Sequence, residues 1–253
     1  SGFTHCQSFF IISIYFRSNF FFYFINFTFC YTHFIHLFNE KVREWVQALN
    51  EWAAGQILEF EQDPYSGANT KGRKGFGLMD YGVPGGNESR TVVYNNFLHN
   101  GNGKHVHLSV QEYLLADQIS QVISGHQPHG DCPLVIRTGS VRVITADTSY
   151  SQFGHKSSWG VDNRGDAVSE VIVTECTEYR STSVQGRLAD GSEILYTLAE
   201  PDHPSGDARL QGDKFVGRQL SDGSWVKAKV AASDEYLLCF GEGQKLTHSR
   251  KTG

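Results

Sequence analysis

The side chains in this sequence best suited to chemistry are histidines, and spacing sets a few of the 11 apart from the rest. His105 and His107 stand one residue apart. On a strand, alternate side chains share a face, so both imidazoles could meet one metal ion. The stretch Asn100-Gly101-Asn102-Gly103-Lys104 just before them reads as a turn, however, and no third ligand follows at a local spacing. His126 and His129 form a second close pair, but Pro128 between them disfavours the regular backbone that would aim both rings at one ion. The loop from Asp80 to Arg90 contains Gly82, Pro84, Gly85 and Gly86, which permit unusual backbone angles and close approach of a ligand. A long connecting turn is the other reading of that loop. Lys71, Arg73 and Lys74 read as a solvated loop rather than a phosphate contact.

His126 is distinguished by the elements that must position it. Ser109-Val110-Gln111-Glu112 fits a capping box that opens a helix running to about Gln118. Residues 119–124 follow as a strand, and Gly125-His126-Gln127-Pro128-His129-Gly130 comes directly after it. This places His126 just past the carboxyl end of a strand, where open α/β sheets build their sites. Residues 134–137 and 141–145 flank Thr138-Gly139-Ser140 as a hairpin. Ala146-Asp147-Thr148-Ser149-Tyr150-Ser151 comes next, and residues 168–174 form a further strand.

This order of pieces resembles the end of the phosphoprotein-phosphatase branch of the calcineurin-like metallophosphoesterases. That branch includes Ser/Thr phosphatases, Shewanella-like phosphatases and diadenosine tetraphosphatases. Gly125-His126-Gln127-Pro128, the hairpin and the loop with Tyr150 match it in sequence order, as does Gly160-Val161-Asp162-Asn163-Arg164-Gly165-Asp166-Ala167-Val168 downstream. Upstream, Asn87-Glu88-Ser89-Arg90 resembles the family's Asn-Asp-Arg segment. The resemblance covers residues about 80–174. It implies that His126 is the last metal ligand and that Arg90 holds the substrate phosphate, a task suited to a planar guanidinium that can grip two oxygens. Tyr150 takes the aromatic position at the site, and Asp147 orients a ligand or holds the loop. The implied cofactor is a pair of divalent ions, Mn, Fe or Zn. The implied reaction is attack of metal-bound hydroxide on a phosphorylated protein or small molecule. The family's Asp-x-His, Gly-Asp-x-x-Asp-Arg and Asn-His-Glu motifs are not present in the sequence. A lone imidazole holds a divalent ion poorly, since typical sites supply three or more protein ligands. The chain by itself is therefore expected to be catalytically incomplete and not to retain the metals. The competing reading is a non-catalytic, β-rich binding protein, tethered to a membrane if its first residues are an anchor.

The rest of the chain frames these pieces. Residues 39–60 carry one apolar helical face, Val42, Trp45, Val46, Leu49, Trp52, Ala53, Ile57 and Phe60, with Asn39 as an N-cap. In the tail, Gly186-Arg187-Leu188-Ala189-Asp190-Gly191-Ser192 is echoed by Gly217-Arg218-Gln219-Leu220-Ser221-Asp222-Gly223-Ser224, and each Asp-Gly signals a hairpin. Residues 235–240 add a strand. Residues 1–38 hold 12 of the 18 phenylalanines and only Arg17 among the acidic and basic residues, so they stand outside ordinary globular composition. Three readings compete there: a membrane anchor over residues 9–38, a genuine core segment, and translated T-rich non-coding sequence. The run from Phe20 to Phe38 approaches the roughly 20 residues a spanning helix needs, but includes Asn26, Thr28, His33 and His36.

A net charge of −5 argues against a broad nucleic-acid surface. Five cysteines, an odd number with no Cys-x-x-Cys pair, fit a reducing compartment better than a disulfide framework. A cytoplasmic location is expected, or a membrane-associated one if the first tract is an anchor. The expected class is α/β (α+β). Residues 39–178 would form a partial metallophosphoesterase β-sandwich flanked by helices, and residues 179–253 a small all-β module, after an aromatic tract over 1–38.

Overall fold

A computed structural model describes residues 41–64, 73–82, 97–125, 129–148, 167–175, 180–199, 212–243 and 245–253. Among them the chain is mixed helix and strand, with more strand than helix, and its strands fall into four small sheets. No helix among the described residues is long and apolar enough to cross a membrane, and residues 9–38 lie outside them. The chain separates into two compact units. One contains Phe97–Val106 and the described residues from Ser120 onward; the other contains those from Lys41 to Gly82 and His107–Ile119.

The second unit is helical. Its apolar stripe folds as α1, Val42–Gln62, which buries Val42, Val46 and Ala53. Farther along, the same face leaves Trp52 and Phe60 partly open, and both pack sideways. The Trp52 ring lies 5.5 Å from Tyr81 of α2, Phe76–Gly82. The Arg73 guanidinium lies 4.8 Å over the Phe60 ring and donates to the Pro64 carbonyl at 2.7 Å. Arg73 is thus engaged in packing rather than solvated, unlike the solvated loop expected of the basic cluster. Lys41, not Asn39, occupies the N-cap of α1, and no side chain caps it. Helix α3 spans Leu108–Ala116, and here the capping box gives way to its neighbour. His107 is the N-cap, and its Nδ1 accepts from the Ser109 amide at 3.3 Å. An imidazole two residues earlier displaces the role expected of Ser109, whose hydroxyl lies 2.7 Å from the same nitrogen.

The first unit is built of strands. Asn100 and Gly101 adopt positive φ, 48° and 79°, which suits the Asn-Gly turn joining β1, Leu98–His99, to β2, Asn102–Gly103. Strand β3, Gln121–Ser124, pairs in parallel with β5, Val141–Thr145, which pairs antiparallel with β4, Leu134–Thr138. Gly139 turns the β4–β5 hairpin with φ 55°, in the left-handed region glycine tolerates. All five residues of β5 are buried, and so are Leu134, Val135 and Ile136 of β4. Such continuously buried runs belong to strands covered on both faces.

The other two sheets are antiparallel. One has the order β6-β7-β8, from Val168–Glu175, Arg180–Arg187 and Glu193–Leu198. The other runs β9, Trp225–Lys229, then β10, Glu235–Glu242, then β11, Lys245–Thr252. The echoed tail segments fold as the same turn. Leu188 accepts from Gly191 at 3.0 Å while Asp190 accepts from the Ser192 amide at 2.9 Å. Leu220 accepts from Gly223 at 3.0 Å and Asp222 from Ser224 at 2.9 Å. Strand β11, exposed except at the half-buried Leu246, is not signalled by any local pattern in the sequence.

One hydrophobic core spans these sheets, joining Val135 and Ile144 to Val184, Ile194, Tyr196, Val226 and Leu237. Two arginines bind it through main-chain carbonyls. Arg137 donates to Val216 at 2.7 Å, Ala199 at 3.1 Å and Asp213 at 2.9 Å. Arg142 is 1% exposed and donates to Ala199 at 3.0 Å and to the Gln121 side-chain oxygen. Charged donors on carbonyls are stronger than neutral ones, and their loss strands the acceptors. Arg137→Met is expected to lower unfolding free energy by about 1.5–3 kcal/mol. Urea denaturation checks this; an unchanged midpoint would rule it out.

Candidate functional site

Parallel pairing of β3 with β5 brings two of the singled-out segments to one edge. Ser124 registers with Thr145, and the Ala146 amide donates to the Ser124 carbonyl at 2.7 Å. The chain therefore leaves both strands at neighbouring points, toward Gly125 from β3 and toward Ala146-Asp147-Thr148 from β5. Asp147 is half-buried at this end and Thr148 is buried. The Ser124 hydroxyl is buried with no hydrogen-bond partner among the described residues. Thr145 turns its hydroxyl to the Leu134 amide at 3.1 Å, closing the other side of the strand end. Arg90, His126 and Tyr150 lie outside the described residues.

The described donors at this end, one carboxylate and a few hydroxyls, do not make a binuclear metal site by themselves. Among the described residues no group of three His, Cys, Asp or Glu side chains is placed to hold a metal ion. The remaining histidine candidates have other partners. His105 places Nδ1 3.1 Å from the Thr138 hydroxyl, and its ring lies 5.0 Å from that of Trp225. His107 commits its Nδ1 to capping α3.

His129 enters a buried polar cluster that no local motif announces. It is 3% exposed. Its Nε2 lies 3.1 Å from the Gly101 carbonyl, which can only accept, so Nε2 carries the proton. Nδ1 is then a lone pair, and it faces the Cys239 thiol at 3.8 Å. The His129 carbonyl accepts from Lys227, whose side chain is fully buried. The same ammonium lies 3.3 Å from His248 Nε2, which must accept from it. Cys239 and His248 are direct cross-strand partners on β10 and β11.

Burial, with Lys227 as the next cause, pushes His129 down to about 3. His248 is held down to about 4 by desolvation of its ring and by Lys227, although the residue as a whole is exposed. Burial pushes the Cys132 thiol up to about 12 and raises that of Cys239. Both cysteines are unpaired and protonated at neutral pH. The cluster is thus a set of neutral rings and thiols around one ammonium. The sequence signal for it is Lys227 itself, placed in the middle of the otherwise apolar Trp225-Val226-Lys227-Ala228.

No family model, curated protein or solved structure matches the chain.

Proposed function

We propose that the chain carries the carboxyl-terminal part of a metal-dependent phosphoric-ester hydrolase of the calcineurin-like kind. The observation that supports this reading is the parallel β3–β5 pair, whose carboxyl ends lead at neighbouring points into Gly125 and into Ala146–Thr148. Open sheets that contain parallel strands place their ligands at such ends. On this reading His126 is one metal ligand at the end of β3, and Arg90 grips two oxygens of the substrate phosphate. Asp147 orients a group at the end of β5, and Tyr150 packs beside the phosphate. The divalent ions, when bound, supply the nucleophilic hydroxide and charge neutralisation. Their remaining ligands must come from residues other than those described at this end, so the chain alone is not expected to turn over substrate.

The test is the transcript read across the junction near Asn39, followed by assay of the protein it encodes on p-nitrophenyl phosphate with Mn²⁺. Hydrolysis that EDTA abolishes is expected. Arg90→Ala should lower kcat/KM roughly 10- to 100-fold, the worth of charge-assisted bonds to a phosphate. Absence of metal-dependent hydrolysis would overturn the proposal and favour the β-rich binding reading, to which the strand-rich part of the chain lends itself.

A further inference from the structure

The strand-built unit has an open face away from the β3–β5 edge. Pairing of Ile194 with Val230, and a bond from the Ala231 amide to the Glu193 carbonyl at 2.8 Å, join β8 to β9. Ile194 and Val230 are both buried, so Leu195 and Lys229 stand side by side on the opposite, outer side. Lys229 registers with Tyr236 of β10, and Tyr236 with Lys251 of β11. Cross-strand partners share a face, so Leu195, Lys229, Tyr236 and Lys251 make one row across four strands. At a strand spacing of about 4.8 Å the row is about 14 Å long, the reach of four or five residues of extended chain.

Two large apolar side chains here are open to solvent: Leu195 is 58% exposed and Phe215 53%. The Phe215 ring stands edge-on to Tyr236, 5.8 Å between centroids, and the Arg218 guanidinium lies 5.5 Å over it. The Lys229 ammonium lies 5.7 Å from the centre of the Tyr236 ring. Asp213 accepts from the Tyr236 hydroxyl at 2.5 Å and from the Phe215 and Val216 amides at 2.8 and 2.7 Å, so its charge is spent in holding the rings. No described carboxylate stands at ion-pair distance from Arg218, Lys229 or Lys251. Beside Leu195 the surface is hollow: an open cavity of about 330 Å³ lies between Leu195, Lys229 and the turn Val230–Asp234. That turn is braced. The Val230 amide donates to the Glu235 carbonyl at 2.9 Å, and the Ser233 hydroxyl accepts from the Glu235 amide at 3.2 Å. A ligand therefore meets a preformed wall, which lowers the ordering cost of binding.

We propose that this face docks an extended acidic segment of a partner protein. An apolar side chain of the segment enters the cavity against Leu195, and its carboxylates lie opposite Lys229, Lys251 and Arg218. Asp234 on the far wall of the cavity keeps those carboxylates on the lysine side. The exposed cations call for negative charge in the partner. A second copy of the same face would set Lys229 and Lys251 against their like. A membrane is met by protruding apolar groups, whereas this surface is hollow at Leu195. Single-stranded nucleic acid needs open rings to stack on; Tyr236 is 8% exposed, Arg218 covers Phe215, and the chain charge of −5 repels a polyanion. The surface contains none of the groups assigned to hydrolysis and stands whether or not that reading holds.

The test is a peptide array probed with the full chain, each peptide setting one Leu, Ile or Phe among glutamates at varied positions. Fluorescence anisotropy then follows the peptides that bind. The same peptides with lysine for glutamate, oligothymidylate and phosphatidylserine vesicles serve as comparisons. Binding is expected for the acidic peptides alone, weakening as salt is added. Lys229→Gln combined with Lys251→Gln should weaken it about 3- to 20-fold, and Leu195→Ser about tenfold or more. Leu195 and Lys251 are exposed, so Leu195→Ser and Lys251→Gln alone should keep the wild-type urea midpoint. The proposal is overturned if no acidic peptide binds, if the lysine peptides bind as well, or if these variants bind like wild type. Oligothymidylate or vesicles that bind where the acidic peptides do not would overturn it too, in favour of a nucleic acid or a membrane.

Discussion

Lowering the pH from 6.5 to 4 is expected to take about 3 kcal/mol from the stability of the strand-built unit through His129 alone. In the folded chain this ring stays neutral down to about pH 3, because it is buried and stands near Lys227; unfolded, it protonates at its ordinary 6.5. The unfolded state therefore takes up the proton first. Stability is fully present above 6.5 and falls as pH drops, at up to about 1.4 kcal/mol per pH unit, until the folded value is reached. His248 acts in the same direction down to about 4, with a smaller share because its strand faces solvent. Against a total of about 5–15 kcal/mol for an ordinary domain, this is a large fraction. Asp190 and Asp222 are held below the usual carboxylate value by their turn serines, so their contributions fade only at more acid pH. The window from 6.5 to 4.5 therefore isolates the histidines. Urea unfolding at several pH values measures the slope. His129→Gln, which keeps a side-chain donor and cannot titrate, should flatten it; an unchanged slope would show that other groups carry the acid lability.

Much of the framework was legible because its signals are local. The stripe from Val42 to Phe60 is a period that only a helix satisfies, and the helix is there. Thr138-Gly139-Ser140 and the two Asp-Gly turns need glycine at positive φ, and glycine stands at each such point. Where local signals compete, the reading slipped. Ser109 fits a capping pattern, but His107, two residues earlier, is the N-cap and accepts from the Ser109 amide itself. Strand β11 escaped notice because Lys245-Leu246-Thr247-His248-Ser249-Arg250-Lys251-Thr252 has neither alternation nor an apolar run; it is an exposed edge held by backbone pairing to β10. Basic side chains on such an edge also discourage pairing with other chains.

The buried cluster was illegible for a different reason. Lys227 meets the His129 carbonyl across 98 residues, and Cys239 meets the His129 ring across 110. No periodicity or short motif encodes contacts of that range. Pro128 already disfavours a shared ion for His126-x-x-His129, but nothing local shows where His129 goes instead: it turns into the core and spends both nitrogens there. Arg137 and Arg142 looked like ordinary strand residues in Ile136-Arg137-Thr138 and Val141-Arg142-Val143, yet they bind carbonyls from distant turns. Their roles depend on how three sheets share one core, which sequence order does not reveal.

The second large effect concerns His126. If it is a metal ligand at the end of β3, its loss removes a first contact to the ion. Disturbing even an outer partner of a metal site typically costs 10- to 100-fold in affinity or activity. Removal of the imidazole itself should therefore cost more than about 100-fold in kcat/KM. Excess metal should restore part of that loss, because the defect lies in binding the ion. His105→Ala, at a residue beside the Thr138 hydroxyl and tilted against the Trp225 ring, should leave metal content unchanged and affect only stability.

The most direct measurement is metal content and phosphatase activity, side by side, in the protein encoded by the sequenced transcript and in its His126→Ala variant, in metal-limited buffer. Two metal ions per chain, with hydrolysis, are expected in the first. In the variant, fewer bound ions are expected and activity lower by more than about 100-fold, partly recovered with added Mn²⁺. Equal metal content and full activity in the variant would contradict the assignment of His126 and, with it, the reading of the β3–β5 edge as the site.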